Sequence, residues 1–62
     1  MKTLRSGITV DADKYYKLLE WKDSNIAVFG FWCAALGVNM SINDLSLENY
    51  NALLQFADLD NQ

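Results

Sequence analysis

Residues 26–37 read IAVFGFWCAALG, and no charged side chain occurs between Ser24 and Asn43. At about 100° per residue this stretch makes a helix with two unlike sides. Ala27, Gly30, Ala34 and Gly37 recur at steps of three, four and three, a seam no bulkier than a methyl group. Val28, Phe29, Trp32 and Leu36 crowd the opposite side, with Phe31 and Ala35 between the two. The seam admits another backbone at close range, and the large side fills a core. Neither side is polar, so such a helix needs cover all round.

A buried strand competes over residues 26–32, which are rich in β-branched and aromatic types. Gly30 also costs a helix interior about 1 kcal/mol relative to Ala. Helix is favoured by the continuation Cys33-Ala34-Ala35-Leu36, which suits a strand poorly, and by Gly37 where a C-terminal cap belongs. Lipid would supply the cover, and Gly30 and Ala34 form a small-xxx-small pair of the kind that packs helices in membranes. Length opposes this. The apolar run stops at Val38, Asn39 and Ser41 interrupt its continuation, and about 20 apolar residues are needed to span. A small membrane-associated protein is therefore the lesser alternative.

The chain reads as a single small domain over residues 1–62. A domain of about 60 residues buries only about 60% of its unfolded surface, yet Met, Leu, Ile, Val, Phe, Tyr and Trp make up 25 of the 62 residues. That exceeds what one small core holds, and a contiguous surplus on the surface marks a partner or a second copy. Cys33, the only cysteine, lies inside the apolar run and reads as core packing in a reducing compartment. Residues 1–10 lack the apolar stretch of a signal peptide, and a cytoplasmic location is expected.

Charge is uneven. Residues 1–23 carry five basic and four acidic side chains, whereas residues 44–62 carry Asp44, Glu48, Asp58 and Asp60 with no Lys or Arg. Direct nucleic-acid binding is not expected, because phosphate affinity comes from clustered cations. A larger protein with a basic surface suits the C-terminal part better.

Taken in order, Leu4, Ile8 and Val10 pack inward, and Ser6-Gly7 can turn a tiny hairpin that lends cover to the central helix. Asp11 is an N-cap with Asp13 in the first turn, opening a helix over residues 12–21. Its stripe is Tyr15, Leu18, Leu19 and Lys22, with Tyr16 and Trp21 to either side. Asp23, Ser24 and Asn25 are cap and turn residues that separate this helix from the next, although one continuous helix over residues 12–36 is the alternative. The alternation in residues 38–45 predicts an extended connector with Val38, Met40, Ile42 and Leu45 facing inward. Ser46 caps a last helix ending near Asp58, with Leu47, Tyr50, Leu53, Leu54 and Ala57 on the apolar side and Asp44, Glu48, Asn51, Gln55 and Asp58 opposite. Residues 60–62 are expected to fray. The fold class is all-α: a small three-helix domain with an irregular or minimally β N-terminal segment.

Catalytic constellations are largely excluded by inventory. With no His, Ser-His-Asp and Cys-His pairs cannot form, nor can a His-Cys metal site. The carboxylate pairs Asp11/Asp13, Asp44/Glu48 and Asp58/Asp60 fall at caps and solvated faces rather than in a cleft. No catalytic residue, cofactor or metal is expected, and the chain is not expected to be an enzyme. The expected function is protein binding by a small acidic inhibitor or adaptor docking onto a larger protein. A solvated face is the usual meaning of its acidic helix side; the sharper alternative is that this side imitates nucleic-acid phosphates, as a phage-type inhibitor of host nucleic-acid-handling machinery would. Tyr16, Trp21 and Phe31 are the candidate ring anchors, and Asp44, Glu48 and Asp58 the candidate charged contacts. For the seam Ala27/Gly30/Ala34/Gly37, packing against another helix of the same chain is the plainest expectation. The alternative is a structural homodimer that pairs the seam with itself across a twofold axis.

Overall fold

A computed structural model of the chain describes residues 1–60. Lys2–Thr3 (β1) and Thr9–Val10 (β2) pair antiparallel, with Lys2 opposite Val10 and Thr3 opposite Thr9. Three α-helices come next in the chain, Ala12–Ser24 (α1), Ile26–Leu36 (α2) and Leu47–Phe56 (α3), with a 3-10 turn at Ile42–Asp44 between the last two. This is the expected small three-helix domain with a minimal β segment.

Local chemistry accounts for most boundaries. The carboxylate of Asp11 accepts the Lys14 N–H at 3.1 Å and opens α1, and the Ser46 hydroxyl accepts the Asn49 N–H at 3.3 Å and opens α3. α1 runs three residues past the expected end at Trp21, because Asp23 and Ser24 continue a helix as readily as they end one. The break comes at Asn25, whose backbone leaves the helical region at φ −135°, ψ 46°. Its side-chain amide donates to the Trp21 carbonyl, and its backbone N–H donates to the carbonyls of Trp21 and Lys22. A single helix over residues 12–36 is thereby replaced by two.

α2 and α3 end by the same device. Gly37 follows α2 in the left-handed region at φ 73°, so that Val38 N–H reaches the Cys33 carbonyl and Gly37 N–H the Ala34 carbonyl. Asp58 does the same for α3 at φ 59°, with Leu59 N–H donating to Leu54 and Asp58 N–H to Gln55. Any Cβ at residue 37 is strained by that φ although the space around it is open. Gly37→Ala is therefore expected to lower stability by about 1 kcal/mol, read as a fall in the urea midpoint at unchanged slope.

The core consists of Leu4, Val10, Tyr15, Leu18, Phe29, Cys33, Ile42, Leu45, Tyr50, Leu53, Leu54 and Leu59. The structure corrects three expectations. The connector is not extended throughout: Ile42 and Leu45, three apart, turn inward together on a 3-10 turn, while Met40 stays on the surface. Leu47, at the first position of α3, is exposed, since the core-facing side begins one turn later at Tyr50. The chain is held past α3 rather than frayed: Leu59 is buried, and the Asp60 carbonyl accepts from Lys14 Nζ at 3.2 Å. The expected fraying of Asn61 and Gln62 lies outside the described residues. The hairpin's polar links run to the connector, while its Leu4 and Val10 share the core with Phe29 and Cys33. Ser6 donates through its N–H to the Asn43 carbonyl at 3.0 Å and through its hydroxyl to the Leu45 carbonyl at 2.6 Å.

Candidate interaction surface

α2 is apolar on every side and covered on one. Phe29 and Cys33 are fully buried, and Trp32 and Leu36 are half-buried beside them. The outward half is Ala27, Val28, Phe31, Ala34 and Ala35, all exposed. Phe31 stands at its centre, 64% exposed, with Ala27, Val28, Ala34 and Ala35 at the positions one helical turn before and after it. The seam is thus not packed against another helix of the same chain. Ala27, Ala34 and Gly37 are exposed, and only Met40 reaches over Gly30, with its Sδ and Cε 3.6 Å from where a Cβ on that glycine would lie. The reason is geometric: two neighbouring helices and a short connector enclose about half of a helix, and the large side holds the better filling for a core.

The surface extends beyond the helix on both flanks. Phe31 meets Trp32 edge to face at 5.1 Å between ring centroids, and Trp32 stacks on Phe56 of α3 at 3.9 Å and 16°. A continuous apolar band therefore runs from Met40 across α2 to Phe56. Counting about 200 Å² for a whole large side chain, the exposed fractions of Val28, Phe31, Met40 and Phe56 amount to roughly 400 Å². The three exposed alanines add to this. That lies toward the upper end of what a monomeric protein leaves in one patch, on a molecule whose whole surface is 3827 Å².

The other candidate residues do not join this band. Tyr16 is exposed on the outer side of α1, its ring edge to face with Tyr15 at 5.5 Å between centroids. Trp21 is half-buried, its ring set edge-on to Phe29 at 6.2 Å, and it lines an open depression of about 370 Å³ with Lys17, Glu20, Ser24, Asn25 and Leu59. Asp44, Glu48 and Asp58 are all exposed, as are Asn51 and Gln55 of the expected polar side. Asp44 is met by Arg5 Nε at 3.1 Å. Ten residues separate Glu48 from Asp58, about 15 Å along a helix. The charge asymmetry of the sequence is reduced in space, because Arg5 and Lys14 from the N-terminal part reach Asp44 and the Asp60 carbonyl. Sequence reasoning passed over Met40 and Phe56 as contacts. Alternation assigned Met40 inward, and Phe56 sits at the edge of the α3 stripe, where periodicity does not decide.

Two buried groups carry shifted acidities. Burial pushes the Cys33 thiol above its ordinary value near 9, with Lys22 opposing weakly. Burial, then the negative charge of Asp11, then Tyr15 push the Tyr50 phenol above its ordinary value near 10, and that hydroxyl has no hydrogen-bond partner among the described residues. Both groups hold their protons longer when folded than when unfolded. Their contribution to stability is complete below about pH 9 and is lost as pH rises through the folded values. The urea midpoint is accordingly expected to be lower at about pH 10.5 than at about pH 7, and a Cys33→Ser, Tyr50→Phe double variant should show a shallower fall. Thiolate chemistry at Cys33 is disfavoured by the same burial.

Among the described residues no group of three His, Cys, Asp or Glu side chains is placed to hold a metal ion, and no helix is long and apolar enough to cross a membrane. Comparison with family models, with curated proteins and with solved structures finds no match to this chain.

Proposed function

We propose that this chain is a non-enzymatic protein-binding module that acts by laying the outer face of α2, with Met40 and Phe56 beside it, against another polypeptide. The observation that carries this is the half-covered α2: a helix with no polar side has Phe31 at the centre of its exposed half. Leaving such a face in water forgoes about 25 cal/mol for every Å² that could be buried, so a partner that covers it gains on the order of 10 kcal/mol before the costs of association are met. A module of this kind serves as an adaptor, an inhibitor or a subunit of an assembly. The contact is apolar, whereas recognition through the acidic side of α3 would rest on Glu48, Asp58 and an Asp44 already engaged by Arg5.

Site-specific photo-cross-linking tests this. A benzophenone side chain in place of Phe31, in cells of the native host, is expected to yield a cross-linked polypeptide, and the same group in place of Glu48 is expected to yield none. Cross-links from residue 48 without any from residue 31 would contradict the proposal.

A further inference from the structure

We infer that the polypeptide covering α2 is a second copy of this chain, seated across a twofold axis beside Phe31 with the two α2 helices antiparallel. The inference rests on the binding surface proposed above and names its occupant.

Three observations carry it. The first is area. About 800 Å² per partner is buried in a standard interface, and the large side chains of the band from Met40 to Phe56 supply about half of that before its exposed alanines are counted, on a chain whose total surface is 3827 Å². The second is composition. Taken whole, non-obligate interfaces are about as polar as ordinary surface, while homodimer interfaces are more apolar. The outward half of α2 holds no polar side chain, and no charge occurs from Ser24 to Asn43. Two copies of a chain with net charge −3 can therefore meet there without setting like charges against each other, and a foreign partner would find no charge by which to be oriented.

The third is shape. Phe31 is a single large knob, and beside it on the same helix runs a trough with Ala27 and Ala34 along its floor and Met40, over Gly30, as its far wall. Knob and trough are neighbours on one side of the helix, about 50° apart around its axis. A twofold axis between them sets each Phe31 into the trough of the other copy, as an isologous contact requires. The smallness of the domain points the same way. Cores of this size are generally reinforced by disulfides, metal ions or oligomerisation, and with Cys33 alone no internal disulfide can form.

Sedimentation equilibrium of the whole chain from low to high micromolar concentration tests the inference, with far-UV circular dichroism as the control for folding. The apparent mass is expected to rise toward twice 7.0 kDa. Phe31→Glu is expected to raise the dissociation constant at least 100-fold and Ala34→Leu, which fills the trough, about 10-fold, both with unchanged dichroism because each side chain is exposed in the single chain. A mass of one chain at every concentration would overturn the inference, as would a dimer that survives Phe31→Glu. If the chain is a monomer and residue 31 cross-links to a foreign protein, the second copy is excluded while the binding surface stands. If it is a monomer and residue 31 cross-links to no polypeptide, both are excluded.

Discussion

Phe29→Ala is expected to remove between a third and all of the chain's stability at 25 °C. Phe29 is completely buried, with the Trp21 ring edge-on at 6.2 Å and the Lys22 ammonium 5.4 Å from its centroid. Truncating a buried Phe to Ala costs about 3–5 kcal/mol, the loss of transfer free energy plus the cavity left behind. At about 0.05–0.15 kcal/mol per residue a domain of this length holds only about 3–9 kcal/mol in total. The loss therefore takes a third or more of the stability. Phe29 is also where α1 and α2 meet, so the cavity opens at the junction Asn25 defines. The measurement is a urea titration followed by circular dichroism, in which the midpoint should fall by at least a third.

Phe31→Glu, two residues along the same helix, is expected to do the reverse: stability within about 1 kcal/mol of the unsubstituted chain, and association lost. The ring is 64% exposed, and its only aromatic neighbour is Trp32, itself held in place by its stack on Phe56. Glu is a good helix former, so the exposed position tolerates it. At the centre of a buried contact the same carboxylate would be an unpaired charge out of water, costing several kcal/mol, which is enough to abolish a contact of micromolar affinity. Urea titration beside a mass measurement on one preparation separates the two effects. Phe29 should move the first and Phe31 the second.

That contrast also marks where the sequence was legible. Asp11, Ser46 and Gly37 act at their positions through their own side chains or, for glycine, through freedom of φ, and so their caps could be placed without a structure. The stripes of α1 and α3 were legible because a polar side opposes them. α2 has no such contrast, and periodicity cannot tell an apolar face that is covered from one that is not. How much of it is covered depends on how many elements the rest of the chain can bring to it, a tertiary count that no window of sequence holds. Leu59 escaped for a related reason: its burial depends on Asp58 adopting φ 59°, an uncommon choice for a residue with a Cβ. The inward turn at Ile42 and Leu45 depends in turn on Asn43, whose carbonyl receives the Ser6 N–H and whose side-chain oxygen receives the Tyr15 hydroxyl at 2.8 Å. These partners stand 37 and 28 residues away.

The most direct measurement is hydroxyl-radical footprinting of the chain at its working concentration against the same chain at high dilution, with Tyr16 as the internal control. Tyr16 is exposed on the outer side of α1 to nearly the same degree as Phe31 on α2. If a second copy covers the outer face of α2, oxidation of Phe31 and Met40 slows severalfold at working concentration, while Tyr16 reacts at one rate throughout. Equal and unchanging reactivity of Phe31 and Tyr16 under both conditions, or protection of Tyr16 alone, would contradict the account.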